Sequence, residues 1–175
     1  MSDNSRYAHI EGRRDIVFDV NAKSILGKID AVVFDLDGTL TDSIGQILSC
    51  THTTFEYLSL PQPDDKAIMS TIGLELGEAL TSLLPEDKKH LGPSVTKDYR
   101  EIFKSRRDLQ LDTLFFGIEP LMKKLRELDI KIGYASGRSM QGIERTMNAT
   151  FLGKYCDGIC AGSEVPSKPD PAYLM

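Results

Sequence analysis

The amino-acid sequence predicts an α/β fold in which a parallel sheet is interrupted early by an all-helical insertion. Short runs of β-branched and aromatic residues alternate with stretches of helical apolar spacing, a pattern typical of parallel strands joined by helical crossovers. Residues 44–113 show the helical spacing alone, without a strand pattern. We therefore expect a sheet core built from residues 29–43 and 114–175, an inserted helical cap over 44–113, and an N-terminal leader over 1–28.

The predicted strands are short and apolar. Ala31–Phe34 is rich in β-branched and aromatic residues, and we expect it to be buried on both faces, as strands of parallel sheets usually are. Ile130–Ala135 and Gly158–Gly162 have the same character further along the chain. Ile16–Val20 is a candidate extra strand, although the polar residues before it favour a mobile leader.

Helices are predicted where apolar residues recur at helical spacing. One helix follows Ser43 and is ended by Pro61 and Pro63, because proline cannot continue the helical hydrogen bonds. The same periodicity predicts further helices over Asp64–Thr71, Leu74–Leu84, Val95–Phe103, Leu121–Leu128 and Met140–Met147.

Composition and charge exclude several classes of partner. The 175 residues carry 21 Lys and Arg against 26 Asp and Glu, a formal net charge of -5, so we expect no nucleic-acid partner. No apolar run approaches the roughly 20 residues of a membrane span, and the N-terminus lacks a signal-peptide pattern. We therefore expect a cytoplasmic protein without a membrane partner. The 3 cysteines form no C-x-x-C pair, which argues against a disulfide framework and against a zinc site.

Two carboxylates follow the first predicted strand, where its backbone turns into a glycine loop. Asp35 and Asp37 are separated by the strand period of two, so both can point into one crevice while Leu36 turns back toward the core. Gly38 lets the backbone approach a ligand closely or adopt a positive φ. Since ligands of open α/β sheets bind at the carboxyl ends of strands, this position suits covalent chemistry on a phosphate.

The nine residues from Asp35 to Ser43, DLDGTLTDS, resemble the first motif of the haloacid dehalogenase superfamily. A helical insertion after the first strand is the layout of the phosphoglycolate phosphatase-like branch, and Ile72–Leu80 is similar to its cap sequences. The resemblance runs from Ile29 to the last residue. It implies a Rossmann-like three-layer core with a helical cap, and a magnesium-dependent phosphatase acting on a small phosphomonoester such as phosphoglycolate.

The resemblance also implies roles for the loop residues. Asp35 is expected to attack phosphorus and form an aspartyl-phosphate, and Asp37 to protonate the leaving alcohol and then activate water. Thr39 is expected to support the loop and to donate to the phosphate. Asp35 and the main-chain carbonyl of Asp37 are the expected ligands of Mg²⁺.

Two later segments match the second and third motifs of that family. Ser136 ends the second core strand, where a hydroxyl and the N–H groups of Gly137 and Arg138 would make an anion site. From the residues alone, Ser136 or Ser139 could equally be a helix N-cap. Lys168, in the sequence SKPDP, is expected to balance the Asp35 carboxylate and to clamp phosphate oxygens.

The fourth motif of the family, an acidic cluster that completes the magnesium site, has no counterpart between Ile29 and Met175. The sequence therefore leaves open an active phosphatase, a phosphate-binding or interaction protein that has lost catalysis, and a truncated product of a longer gene. A phosphosugar mutase uses the same two aspartates and is also an alternative. The strand with the missing motif lies beside the first strand in the family, so we expect Ala31–Phe34 to form an exposed edge that favours homodimerisation or strand exchange.

Overall fold

The computed structural model describes residues 29–106 and 112–174. The elements described below lie in one compact unit, Ala31–Met175. The predicted leader over 1–28, including the candidate strand Ile16–Val20, lies outside the described residues.

The described sheet has three parallel strands in the order in which they occur along the chain. These are β1 (Ala31–Phe34), β2 (Lys131–Ser136) and β3 (Gly158–Ala161). Ala31 lies opposite Lys131 across the first ladder, and all four residues of β1 pair with β2. The predicted parallel α/β fold is therefore confirmed, with strand positions within one or two residues of those expected from the sequence.

Helices occupy the segment between β1 and β2 and flank the later strands. Their bounds are α1 (Ile44–Tyr57), α2 (Asp65–Ser70), α3 (Leu76–Ser82), α4 (Gly92–Ser105), α5 (Ile118–Glu127) and α6 (Met140–Ala149). The periodicity of the sequence predicted each of them. It did not predict the 3-10 helical turns Glu86–Leu91, Phe151–Tyr155 and Pro171–Leu174. Within the described residues, no helix is long and apolar enough to cross a membrane.

The helices α1, α3 and α4 pack around a hydrophobic core of their own. Phe55 from α1 is fully buried, and Leu80 from α3 and Val95 from α4 are 2% and 1% exposed. Burying a side chain of this kind stabilises the fold by about 1.5–3 kcal/mol. The helices between β1 and β2 therefore pack around a hydrophobic cluster of their own. The bounds of the predicted cap, 44 and 113, stay a prediction.

The core around the sheet is formed mainly by β2 and the helices next to it. Ile132 and Tyr134 of β2, Met122 of α5 and Ile143 of α6 are all at most 1% exposed. By contrast, the expectation that β1 is buried on both faces is wrong, because Val33 is 47% exposed. Among the described strands β1 pairs only with β2 and lies at the edge of the sheet, so fewer neighbouring side chains cover it.

Candidate active site

The loop after β1 folds back on itself around a buried leucine. Leu36 is 0% exposed, and its carbonyl oxygen accepts hydrogen bonds from the N–H groups of Thr39, Leu40 and Thr41. Gly38 has φ +72°, a conformation that L side chains rarely adopt. The inward turn of Leu36 leaves the residues on either side of it, Asp35 and Asp37, facing away from the core.

Lys168 reaches Asp35 from 133 residues away in the sequence. Its Nζ lies 3.0 Å from Oδ1 of Asp35 and also donates to the carbonyl oxygen of Ala135 at 2.9 Å. The same Nζ lies 5.2 Å from the centroid of the Tyr173 ring. The side chains of Lys168 and Asp35 are 28% and 29% exposed, so solvent reaches both partners. The site thus combines a carboxylate with a lysine whose direction is fixed by two further contacts.

Asp37 is held by Arg138, which follows β2. The Nε and Nη2 atoms of Arg138 donate to the carboxylate of Asp37 at 2.6–3.1 Å, and the Ser43 hydroxyl donates to it at 2.6 Å. The Asp37 and Arg138 side chains are each 13% exposed. Burial by itself raises the pKa of Asp37, but the hydrogen bonds and positive charge of Arg138, with the Ser43 hydroxyl, hold that pKa below its usual value.

A second carboxylate lies on the other side of the same guanidinium group. Nη1 of Arg138 lies 3.3 Å from Oδ1 of Asp112 and donates to the Thr146 hydroxyl at 2.6 Å. Thr146 in turn donates to Asp112 at 2.6 Å. The Asp112 side chain is only 6% exposed. Burial opposes the charged form of Arg138, but the two aspartates outweigh it and raise the pKa of Arg138.

Ser136 and Gly137 lie at the end of β2, as the sequence predicted. Ser136 is 0% exposed, and its hydroxyl oxygen accepts from the N–H of Arg138 at 3.3 Å. Ser139 caps α6 by accepting from the N–H of Gly142. The structure therefore gives the N-cap to Ser139 and leaves Ser136 facing the turn. That Ser136 and Gly137 bind phosphate stays a prediction.

A loop from the helical segment crosses directly over Gly137. A Cβ added at Gly137 would lie 2.6 Å from the carbonyl oxygen of Gly73 and would also overlap that of Leu74. The N–H of Glu75 donates to the Ser167 hydroxyl at 2.9 Å, next to Lys168. The loop over residues 73–75 therefore contacts both the turn after β2 and the segment that carries the lysine.

A cavity of about 220 Å³ lies under this loop. Its lining includes Asp37 and Arg138 from the site, and aliphatic side chains that include Ile47, Ile72 and Leu80. The cavity therefore opens beside Asp37, the carboxylate that the sequence predicts to be the acid, and the helices between β1 and β2 form much of its wall.

The structure brings some of the predicted site residues into contact and leaves others apart. Asp35 and Lys168 form an ion pair, and Asp37 lies two residues away on the same loop. Thr39 is exposed, and its N–H bonds to Leu36, so its contact with phosphate stays a prediction. The sequence analysis missed the side chains of Arg138, Asp112 and Thr146, since Arg138 was considered only for its backbone N–H.

The described residues contain no cluster of three or more His, Cys, Asp or Glu side chains that could hold a metal ion. They do fit a minimal magnesium site, in which one or two protein oxygens act together with substrate phosphate. Lys168 contacts Oδ1 of Asp35, and the described residues place no donor on Oδ2. Both carboxylate oxygens of Asp37 are engaged by Arg138, which leaves its main-chain carbonyl as the second candidate ligand.

Curated relatives of the chain carry the names of phosphate-handling enzymes. "Probable phosphatase IndB" of Dickeya dadantii is 29% identical over 143 residues, covering 80% of this chain and 61% of the relative. "Tyrosine-protein kinase PtkA" of Mycobacterium tuberculosis is 27% identical over 133 residues, covering 75% and 44%. "Phosphoglycolate phosphatase" of Chromobacterium violaceum is 28% identical over 158 residues, covering 86% and 69%. The chain thus spans less than two thirds of the length of the first two relatives.

A solved structure agrees with the fold. The haloacid dehalogenase-like family protein SP0104 from Streptococcus pneumoniae superposes with a TM-score of 0.65 at 26% identity, covering 79% of this chain and 63% of that one. A family model described as "Haloacid dehalogenase-like hydrolase" matches residues 32–175, which include both aspartates and the lysine. The resemblance of the first motif is therefore confirmed, and the chain belongs to the haloacid dehalogenase-like hydrolase family.

Proposed function

We propose that the protein is a magnesium-dependent phosphatase that hydrolyses a small-molecule phosphomonoester through an aspartyl-phosphate on Asp35. The observation that carries this proposal is the contact of 3.0 Å between Asp35 and Lys168, which joins a nucleophile to a phosphate-binding cation from a distant part of the chain. Membership of the family and the phosphatase names among the relatives support it. Phosphoglycolate-like compounds are the substrates that the sequence resemblance implies.

In the first step, an oxygen of Asp35 attacks phosphorus and the bond from phosphorus to the leaving oxygen breaks. Oδ1 is the nucleophile, and Lys168, which contacts Oδ1 in this structure, transfers its contact to the phosphoryl oxygens when substrate binds. The phosphoryl oxygens then lie within reach of Nζ of Lys168, the Ser136 hydroxyl and the N–H of Gly137. Charge on the transferring group is stabilised by this cation and these donors, which is the main catalytic effect available in phosphoryl transfer.

Asp37 transfers a proton in both steps. It gives a proton to the leaving oxygen as the alcohol departs, and in the second step it takes a proton from the water that attacks the aspartyl-phosphate. The ion pair with Arg138 favours the carboxylate, which is the form that the second step requires. The first step requires a proton on Asp37, so the contact with Arg138 has to loosen when substrate binds.

Magnesium completes this proposal. Oδ2 of Asp35 and the main-chain carbonyl of Asp37 would hold the ion together with a phosphate oxygen. When bound, the ion supplies positive charge next to the phosphoryl group and offsets repulsion between the phosphate and the two aspartates.

Turnover of p-nitrophenyl phosphate by the full chain, measured with and without magnesium, tests the proposal. Asp35→Asn should lower kcat by more than about a thousandfold, because it removes the nucleophile. Asp42→Asn is the matched control, since Asp42 lies on the same loop with an exposed side chain and should retain activity. Undiminished turnover in Asp35→Asn would overturn the mechanism.

The Arg138 contact favours a second candidate function, a phosphate-binding protein without turnover. In this alternative Asp37 stays paired with Arg138 and never delivers a proton. Thermal stabilisation of the protein by inorganic phosphate, with no release of p-nitrophenol at high magnesium, would identify this second function.

Cytoplasmic location and self-association along the edge of β1 stay predictions from the sequence.

A further inference from the structure

The cavity beside Asp37 lies where the leaving group of a phosphomonoester would extend. Asp37 and Gly137 line one part of it, and the acid of the proposed mechanism must contact the leaving oxygen. The rest of the wall comes from the helices between β1 and β2 and the loop that joins two of them. A leaving group bound here is therefore recognised by that helical segment, away from the phosphate contacts of Asp35 and Lys168.

Apolar atoms make up the larger share of the wall of the cavity, and polar side chains that include Gln46, Thr71 and Gln141 line the rest. Seven isoleucine and leucine side chains contribute to it: Ile47, Ile68, Ile72, Leu74, Leu76, Leu80 and Leu83. Phe103 and Tyr99 add two rings. Burial raises the pKa of the Tyr99 phenol, so this ring is neutral at ordinary pH. Walls of this kind bind a ligand by removing its apolar surface from water.

The cationic side chains in the wall already have partners. Arg138 is paired with two aspartates, and Arg100 lies 4.0 Å from Glu75. Lys104 lies 2.9 Å from Glu101 and is 59% exposed, so it belongs to the solvent-facing rim. Arg145 stacks over the Phe103 ring at 5.0 Å. A carboxylate on the leaving group, such as that of glycolate, would therefore compete with the existing partners of these cations.

We infer that the substrate is the phosphomonoester of an apolar alcohol, with an alkyl or aryl group filling this cavity. This inference rests on the proposed function, because it assumes that the phosphoryl group binds next to Asp35. The cavity volume of about 220 Å³ has room for a group of at least about six carbon atoms. A six-carbon alkyl chain or a phenyl ring fits that volume and matches the apolar part of the wall.

A series of alkylphosphonates tests the inference by binding alone, because the carbon–phosphorus bond is not hydrolysed. We expect calorimetric Kd values for the full chain to fall about fourfold for each methylene from ethyl to hexyl. 3-Phosphonopropionate, the anionic counterpart, should bind more weakly than butylphosphonate. A flat series, tighter binding of the carboxylate, or no binding of any phosphonate would overturn the inference.

Two variants test whether the alkyl groups of the phosphonates bind in this cavity. Ile47→Thr should weaken hexylphosphonate binding about fivefold or more while leaving methylphosphonate within twofold. Leu48→Thr is the control on the same helix, since Leu48 does not line the cavity, and it should change neither. If Ile47→Thr does not fold, the wild-type series still decides the matter. A rising series without p-nitrophenyl phosphate turnover would refute the proposed function and leave only the binding of apolar groups in the cavity, whereas turnover with a flat series would refute this inference alone.

Discussion

Removing the guanidinium of Arg138 should destabilise the fold more than removing any exposed arginine. Arg138 lies between two carboxylates, Asp37 at 2.6 Å and Asp112 at 3.3 Å, whose side chains are 13% and 6% exposed. In Arg138→Gln both carboxylates would stay largely out of water without their cation. The buried charges that remain, and not the lost attraction alone, cause the expected loss of stability.

The size of the effect follows from the geometry. At about 3 Å and an effective dielectric constant of about 20, each ion pair contributes roughly 5 kcal/mol of Coulomb energy, much of which only offsets the cost of desolvation. Breaking a buried pair by removing one partner costs about 3–5 kcal/mol net. For a domain of this size, each 1 kcal/mol lowers the melting temperature by about 2–4 °C. Arg138→Gln should therefore melt about 6–20 °C below the wild type.

Thermal and urea unfolding of the full chain measure this difference directly. Arg100→Gln is the matched control, because Arg100 is 54% exposed and 4.0 Å from its partner, and it should cost at most about 1 kcal/mol. Adding Asp112→Asn to Arg138→Gln should recover part of the loss, since it removes one uncompensated charge. Equal unfolding midpoints for Arg138→Gln and Arg100→Gln would refute the reasoning.

Two further predictions follow from the same site. Gly137→Ala should cost about 1–3 kcal/mol, because its Cβ would overlap two carbonyl oxygens of the crossing loop, whereas Gly158→Ala, with nothing within 4 Å of the added Cβ, should be nearly neutral in urea unfolding. The pKa of Asp37 is lower in the folded than in the unfolded protein, so its stabilising contribution is present above about pH 4 and is lost as pH falls through the folded value. The stability difference between wild type and Asp37→Asn should therefore shrink in acid, and a constant difference from pH 7 to pH 2 would contradict the assignment.

Local sequence carried enough information to place the strands and helices. Ala31–Phe34 is a β-branched and aromatic run next to a glycine loop, and no tertiary contact is needed to identify it as a strand. Its burial was predicted wrongly, because burial depends on which segments lie beside a strand. The ion pair of Asp35 with Lys168 followed from a family motif, since composition and spacing alone give no reason to join residues 133 positions apart.

The pairing of Arg138 with Asp112 had no signal in the sequence. Asp112 lies outside every recognisable motif, and its contact with Arg138 exists only because the chain returns to the sheet at that point. The sequence also contained no indication that the loop over residues 73–75 crosses Gly137. Glycine after a strand is explained just as well by a phosphate contact or by a turn, so the close approach of Gly73 and Leu74 could be found only in the structure.

The turn that holds Arg138 is packed closely against two other segments of backbone. A Cβ added at Gly162, after β3, would lie 2.5 Å from the carbonyl oxygen of Gly137, and one added at Gly137 would meet the loop at Gly73. The N–H of Gly162 also donates to the carbonyl oxygen of Arg138 at 2.9 Å. Three distant segments are thus in direct backbone contact beside Asp37. The loop, the turn at Gly137 and Arg138 are therefore packed together, and we predict that a shift of the loop at Gly73 changes the pairing of Arg138 with Asp37.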